Sequence, residues 1–200
     1  MAGSMSEQKL ITCRGAEIHP YLDAAARLRL TVFREFPYLY DGTFANEQEY
    51  LAHYAQSEQA FFALLLDGAE VVGISTGLPM IDADESFQAP FVANGLPLED
   101  IFYLGESCLL SDYRGRGWGH AFFDKREEFA RSLGSRKTAF CSVLRAESHP
   151  LKPRDYRSNE LFWQKRGYQP TSMIAELSWQ QVDAAEPVSN QLTFWVRDEL

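Results

Sequence analysis

Cysteine is scarce in this chain of 200 residues. Its three cysteines, Cys13, Cys108 and Cys141, are odd in number, lie far apart and sit within apolar runs typical of strands. This pattern argues against a disulfide framework and against a zinc site. Unpaired thiols suit a reducing compartment, so we expect a cytoplasmic protein without a bound metal.

Long hydrophobic runs and an excess of positive charge are also missing. No stretch approaches the roughly 18 apolar residues of a membrane-spanning helix, and no basic segment followed by an apolar run opens the chain. Lys and Arg total 19 against 28 Asp and Glu, a net charge of −9. We therefore expect neither a membrane nor a nucleic acid as partner, and a cationic small molecule or a basic peptide is attracted more favourably.

The apolar content is that of one globular unit. With 46% hydrophobic and 14% aromatic residues, the chain can bury one sizeable core but is short for two domains. Residues 1–9 are expected to be a flexible N-terminus that includes a cloning remnant, because Met1-Ala2-Gly3-Ser4 precedes a second methionine, Met5. Residues 10–200 are expected to form a single domain.

Apolar spacing predicts strands and helices in alternation. The predicted strands cover residues 10–18, 61–66, 71–80, 101–110, 138–144, 173–179 and 192–197, and the predicted helices cover 21–33, a short segment capped by Asn46, 117–133 and 158–166. Asp67-Gly68-Ala69-Glu70 predicts a hairpin. Residues 82–100 show no sustained period, so we expect a surface loop there. The order indicates an α/β (α+β) fold with a mixed, mostly antiparallel sheet of about seven strands and about four helices.

The turn after the fourth strand reads Arg114-Gly115-Arg116-Gly117-Trp118-Gly119 and opens a long helix. A helix start presents backbone N–H groups and a positive dipole end to a ligand. The glycines allow close approach of the backbone, and the two arginines can neutralise phosphate. The turn therefore predicts a pyrophosphate site, with a plain connector as the alternative. The spacings of Rossmann and P-loop nucleotide sites are absent.

These residues resemble the Gln/Arg-x-x-Gly-x-Gly/Ala signature of the GNAT acetyltransferase superfamily. Residues 159–168, Asn-Glu-Leu-Phe-Trp-Gln-Lys-Arg-Gly-Tyr, are similar to a second block of that family, shortened after the asparagine. The resemblance covers nearly the whole chain. It implies a splayed sheet whose strands at residues 101–110 and 138–144 part to leave a slot for the pantetheine arm of acetyl-CoA. The implied coenzyme contacts are Leu109, Leu110, Arg114, Gly115, Arg116, Gly117, Trp118, Gly119, Asn159 and Phe162.

The resemblance also implies acetyl-CoA-dependent N-acetylation of a small-molecule or amino-acid-like amine by direct attack. Glu106, in an apolar strand, is the candidate general base, and burial would help it to hold a proton. The alternative is a carboxylate on the solvent face or one paired with a neighbouring arginine. The general-acid tyrosine of the family falls at Trp163, so Tyr168 and Tyr156 are the candidate acids.

The acceptor side of the slot is expected at the first two helices and their connection. Phe33, Tyr38 and Tyr40 are the candidate substrate contacts, since aromatic faces among carboxylates suit a cationic amine; the alternative is that these residues belong to the core or to a solvated rim. Two other functions stay open, a protein lysine or N-terminal acetyltransferase and a non-catalytic acyl-CoA-binding module. The aromatic run at residues 192–196 is a candidate sheet edge for a homodimer.

Overall fold

A computed structural model describes residues 7–200. The predicted cloning remnant, Met1 to Ser4, lies outside the described residues. The strands are β1 (Gln8–Arg14), β2 (Phe61–Asp67), β3 (Glu70–Pro79), β4 (Ile101–Leu109), β5 (Lys137–Val143), β6 (Gln169–Trp179) and β7 (Val188–Asp198). The helices are α1 (Leu22–Phe33), α2 (Phe44–Tyr54), α3 (Glu85–Ala93), α4 (Trp118–Ser132) and α5 (Glu160–Lys165).

The seven strands form one open sheet in the order β1-β2-β3-β4-β5-β7-β6. All neighbours are antiparallel except β4 and β5, which run parallel. The mixed, mostly antiparallel sheet predicted from the sequence is thus confirmed. The expectation that residues 192–196 form a sheet edge is wrong, because β7 lies between β5 and β6. Strand order is set by long-range pairing, which local spacing does not reveal.

Alternate residues of the strands supply two cores on opposite faces of the sheet. Phe62 and Leu64 of β2 join the core beneath α1, α2 and α3. Phe61 and Leu65 of the same strand join the core beneath α4, together with Phe122. This is the period-two alternation of a strand buried on both faces. Helices on both sides therefore hold β4 and β5 at the centre of the molecule.

Residues 82–100 do not form a plain surface loop, and that prediction is wrong. They contain α3, whose N-cap Asp84 accepts a hydrogen bond from the Ser86 amide at 2.9 Å. Phe91 of α3 is fully buried and packs edge-on against Phe194, with ring centroids 4.8 Å apart. Acidic residues and Pro90 hide the helical period, and burial of one large ring stabilises a short helix there.

Two further sequence details differ in the structure. The short helix α2 is capped by Thr43, whose hydroxyl accepts from the Asn46 amide at 3.3 Å, so Asn46 is not its cap. Strand β1 begins at Gln8 and ends at Arg14, and a 3-10 turn follows it. The Asp67–Glu70 hairpin is confirmed, with those two residues paired at its end.

Within residues 7–200, no helix is long and apolar enough to cross a membrane. The same residues contain no group of three or more His, Cys, Asp or Glu side chains arranged to hold a metal ion. The three cysteines are free thiols.

Candidate active site

The turn between β4 and α4 is built on two glycines in the left-handed region of backbone conformation. Gly115 has a φ of 72° and Gly117 a φ of 89°, which residues with a Cβ rarely adopt. Gly117 is also the N-cap of α4, and it has no side chain with which to cap the first turn. The first N–H groups of a helix have no partner within that helix. The start of α4 therefore presents uncapped amides and the positive end of the helix dipole.

Open space adjoins the first two glycines of the turn. A Cβ added to Gly115 or Gly117 would meet no heavy atom of the described residues within 4 Å. A Cβ added to Gly119 would come within 3.6 Å of the Phe162 ring. The first two glycines thus leave room for a ligand, whereas the third allows α5 to pack closely on α4.

The two arginines of the turn are placed differently. The Arg114 guanidinium donates to the Leu109 carbonyl at 2.9 Å and pairs with Glu35 at 2.8 Å. Arg116 is exposed; among the described residues it has no carboxylate partner, and its guanidinium carbon lies 5.5 Å from the centre of the Tyr113 ring. Arg116 is available to an anion at once, and Arg114 must first leave Glu35.

The parallel strands β4 and β5 part soon after they begin to pair. Their pairing ends at Tyr103 and Ala139, and β4 continues to Leu109 without a partner strand on that side. The gap opens toward the turn before α4. Of the two leucines predicted to contact the coenzyme, Leu110 donates its amide to the Val72 carbonyl at 3.0 Å, and the Leu109 carbonyl is held by Arg114.

Trp118, Asn159 and Phe162 lie around the same helix start. The Trp118 indole donates to Gln8 of β1 at 3.2 Å, so its side chain ties the turn to the sheet. Asn159 is the exposed N-cap of α5, and its side chain makes no capping hydrogen bond. The Phe162 ring packs edge-on against His120, with centroids 4.7 Å apart. The structure therefore brings α5 beside the first turn of α4.

Strand β4 has a bulge shortly after its pairing with β5 ends. Two residues of β4, Gly105 and Glu106, oppose the single residue Thr76 of β3. The buried Arg126 of α4 donates to the carbonyls of Thr76 and Glu106 at 3.2 Å each. Burial lowers the pKa of Arg126 to about 10. Arg126, and not its exposed neighbour Lys125, thus faces the sheet.

Glu106 is buried, with 9% of its surface exposed, and faces α1 and α2. The Arg29 guanidinium donates from one nitrogen to Oε1 of Glu106 and from another to Glu47. The Tyr50 hydroxyl lies 3.4 Å from Oε2 of Glu106, and the Tyr40 hydroxyl donates to Glu47 at 2.7 Å. Of the two alternatives drawn from the sequence, the carboxylate paired with an arginine is the one observed.

The two candidate acids lie in different places. Tyr168 is fully buried beneath α4, where its hydroxyl donates to Glu127 at 2.9 Å and contacts the Thr138 hydroxyl at 2.8 Å. Burial raises its pKa far above the ordinary value. Tyr156 lies elsewhere, near the end of α1, where its ring packs edge-on against Phe36 with centroids 4.7 Å apart. The structure therefore does not bring Tyr168 together with Glu106.

The three candidate substrate contacts lie at the end of α1 and in the segment that follows it. Phe33 and Tyr38 pack edge-on with centroids 4.8 Å apart, and the Arg29 guanidinium carbon lies 4.9 Å from the Phe33 ring centre. The Tyr38 ring also contacts the Trp179 ring, with centroids 6.1 Å apart. Tyr40 reaches the buried ion-pair cluster through its hydroxyl. Phe33 and Tyr40 thus contact the Arg29 and Glu47 members of the ion pair, and Tyr38 packs on Phe33.

Sequence reasoning missed Arg29 and Glu47. Arg29 follows Ala25 by one turn and precedes Phe33 by one turn, so it lies on the inward face of α1. A charged residue on an apolar helix face is a signal of a buried partner. The partners are 18 and 77 residues away along the chain, which no local spacing reveals.

Known proteins resemble this chain in structure far more than in sequence. Neither a protein-family model nor a curated relative matches the sequence. An acetyltransferase of the GNAT family from Staphylococcus aureus matches with a TM-score of 0.59 and 14% identity over 96% of this chain and 99% of that one. An acetyltransferase from Streptococcus agalactiae gives 0.59 and 15% over 96% and 98%. One from Thermus thermophilus gives 0.56 and 17% over 97% and 98%.

The likeness extends over nearly all of each compared chain, so it concerns the whole fold and not one motif. It agrees with the open seven-stranded sheet, the parting of β4 and β5 and the glycine turn before α4. The chain has the GNAT acetyltransferase fold.

Proposed function

We propose that the protein is an acetyl-CoA-dependent N-acetyltransferase that acts on the primary amine of a small molecule. The observation that carries the proposal is the uncapped, glycine-built start of α4, set beside the gap between β4 and β5. In the GNAT fold this pairing of features suits a ligand with a diphosphate and an extended arm. One solved structure of similar fold is named an N-acetyltransferase, which supports an amine as acceptor.

The residues of the turn fit a diphosphate. Gly115 and Gly117 leave open space at the helix start, and Arg116 lacks a carboxylate partner among the described residues. The backbone from Gly115 to Gly119 would hold the phosphates with the help of Arg116, and the unpaired edge of β4 would hold the arm. Acetyl-CoA, when bound, supplies the acetyl group as a thioester.

Glu106 is the residue that we propose to accept the proton of the acceptor amine. Its Oε1 is held by Arg29, whereas Oε2 has one long contact, the Tyr50 hydroxyl at 3.4 Å. An amine must lose its proton before its lone pair can attack a carbonyl carbon. Glu106 lies on β4 beyond the last pair with β5, so its backbone borders the gap.

Tyr156 is the better of the two candidate acids. Its ring packs on Phe36, just beyond the end of α1, and a tyrosine hydroxyl carries a proton at neutral pH. Tyr168 also keeps its proton, but its hydroxyl is engaged by Glu127 and Thr138 in the core beneath α4. We assign Tyr168 a structural role.

The cytoplasmic location and the homodimer remain predictions.

A second candidate, a non-catalytic acyl-CoA-binding module, is favoured by one observation. The Arg29 ion pair neutralises the carboxylate that catalysis would need. Both functions require coenzyme binding, but only the enzyme transfers the acetyl group. Release of the CoA thiol should be measured with a panel of small primary amines and, as a separate arm, a lysine peptide. Turnover with a small amine that is lost in Glu106→Gln supports the enzyme, whereas coenzyme binding without any turnover supports the module.

A further inference from the structure

The ion pair at Glu106 has three members, which come from three different elements of the fold. Arg29 of α1 is shared between Glu106 of β4 and Glu47 of α2. All three side chains are at least nine-tenths buried. One guanidinium and two carboxylates carry a net charge of −1 when all are ionised. A buried arginine with a single carboxylate would be neutral, so the second carboxylate requires an explanation.

We infer that Arg29 and Glu47 are positioning residues for Glu106. Arg29 fixes Oε1 of Glu106, and Glu47 offsets the positive charge of Arg29, so that Oε2, whose one contact is the long hydrogen bond from Tyr50, is left to accept a proton. The inference rests on the proposed function and deepens it, since it explains how a carboxylate bound to an arginine still serves as a base.

The geometry supports separate roles for the two oxygens of Glu106. Oε1 receives a guanidinium N–H, the strong, charge-assisted kind of hydrogen bond. Oε2 has only the Tyr50 hydroxyl at 3.4 Å, near the limit for a hydrogen bond. The Tyr50 ring also lies on Arg29, 4.3 Å from its guanidinium carbon. Arg29 is thereby held between α1 and α2, and it orients Glu106 through Oε1.

The electrostatic role of Glu47 follows from its place on the same guanidinium. A single nearby cation stabilises the ionised form of a carboxylate and makes it a weaker proton acceptor. A second carboxylate on that cation opposes the effect. The Tyr40 hydroxyl donates to Glu47 at 2.7 Å and holds it in this position. Glu47 therefore offsets part of the positive charge that Arg29 places beside Glu106.

Other titratable groups also surround the ion pair. They are Tyr50 and Tyr54 of α2, Cys108 of β4, Tyr38 of the loop after α1 and, from the opposite face of the sheet, Arg126 of α4. Burial raises the pKa values of the three tyrosines and of Cys108, so these groups are uncharged at neutral pH. Arg29 and Glu47 are thus the charged side chains that face Glu106 from α1 and α2.

Two substitutions should move the titration of Glu106 in opposite directions. Arg29→Gln removes the cation and leaves two carboxylates together, so Glu106 should take its proton at a pH higher by about one unit or more. In Glu47→Gln the charge of Arg29 acts on Glu106 alone. The pH midpoint of the Glu106 titration should therefore fall by a similar amount, about one unit. A merely structural ion pair would shift the NMR titration in the same way, but it would leave the acidic midpoint of the rate profile unchanged.

The titration is read by NMR of the full chain labelled with ¹³C at the glutamate carboxyl carbons. The Glu106 signal is the one that disappears in Glu106→Gln. The acidic midpoint of the rate profile provides a second readout. Arg27→Gln on α1 and Glu49→Gln on α2 are matched controls, since both remove the same charges from exposed positions of the same helices. Both controls should leave the midpoint unchanged.

The outcomes separate this inference from the proposed function. Opposite shifts of the rate-profile midpoint, in step with those of the NMR signal, establish the positioning roles. If Arg29→Gln does not fold, Glu47→Gln alone decides, and an unchanged midpoint in that variant overturns the inference. If Glu106→Gln retains full turnover, Glu106 is not the base, while the NMR shifts still report the ion-pair cluster. Shifts of the same sign with an inactive Glu106→Gln keep the base and reject the positioning roles.

Discussion

Arg114, in the turn before α4, pairs with Glu35, just beyond the end of α1, at a distance of 2.8 Å. The pair joins the helix start proposed to bind the coenzyme to the segment proposed to bind the acceptor. About half of each side chain is exposed, so the pair contributes little to stability. Its effect should appear in ligand binding, because Arg114 cannot serve Glu35 and a phosphate fully at the same time.

Glu35→Gln should therefore tighten acetyl-CoA binding. An exposed ion pair contributes about 0.2–1 kcal/mol, so the dissociation constant should fall roughly 1.4-fold to 5-fold. Isothermal titration calorimetry measures the change. Asp41→Asn is the control, because it releases another exposed arginine of the same region, Arg34, from its ion pair. Equal affinity in wild type and Glu35→Gln would show that Arg114 does not exchange partners.

Gly117→Ala should abolish coenzyme binding while the fold survives. The added Cβ enters the open space where the diphosphate is proposed to lie, and the left-handed backbone costs about 1–2 kcal/mol. Gly134→Ala is a matched control at the other end of α4, with a φ of 78° and no atom within 4 Å of an added Cβ. Both variants should lose similar stability in urea, and only Gly117→Ala should lose binding. Unchanged binding in Gly117→Ala would remove the phosphate role of the turn.

Glu106→Gln should lower turnover by about 10²-fold or more and leave acetyl-CoA binding nearly unchanged. The amide keeps the size of the side chain but cannot accept the proton of an amine. Steady-state kinetics across pH, with kcat and KM separated, test this expectation. Glu99→Gln, an exposed change shortly before β4, is the control. A wild-type pH profile in Glu106→Gln would exclude this residue from the mechanism.

Asp84→Ala should destabilise the protein by about 0.5–2 kcal/mol at neutral pH, because it removes the cap of α3. Hydrogen bonds from the Ser86 hydroxyl and amide lower the pKa of Asp84 below its usual 3.8. The stabilisation is thus complete above the unfolded value and is lost as the pH falls through the lower folded value. Urea unfolding at neutral and acid pH should show the difference between variant and wild type shrinking in acid. A difference that is constant with pH contradicts this role of the carboxylate.

The parts of the fold that the sequence predicts are those encoded locally. Alternation and helical spacing locate all seven strands and four of the five helices, and the Gly115 and Gly117 spacing locates the turn. The sequence does not reveal helix α3, because a single deeply buried residue, Phe91, gives no repeated apolar period. Its packing partner, Phe194, is more than a hundred residues further along the chain.

The candidate site divides in the same way. The turn and Glu106 can be found from the sequence. Glu106 is a carboxylate within an apolar strand, and the turn comes directly after the end of that strand. The partners of Glu106 come from α1 and α2, and their contact depends on how those helices pack on the sheet. Tyr168 illustrates the converse, since the resemblance makes it a candidate acid, whereas packing buries it against Glu127.

The central claim is that the turn before α4 binds the diphosphate of a coenzyme A species. Thermal unfolding with acetyl-CoA, with free CoA and with NAD tests it most directly. At about 100 times the dissociation constant a ligand adds about 2.7 kcal/mol, roughly 5–11 °C in Tm for a chain of this length. We predict such a rise with both CoA species and none with NAD. No rise at saturating coenzyme, or an equal rise with NAD, would contradict the account.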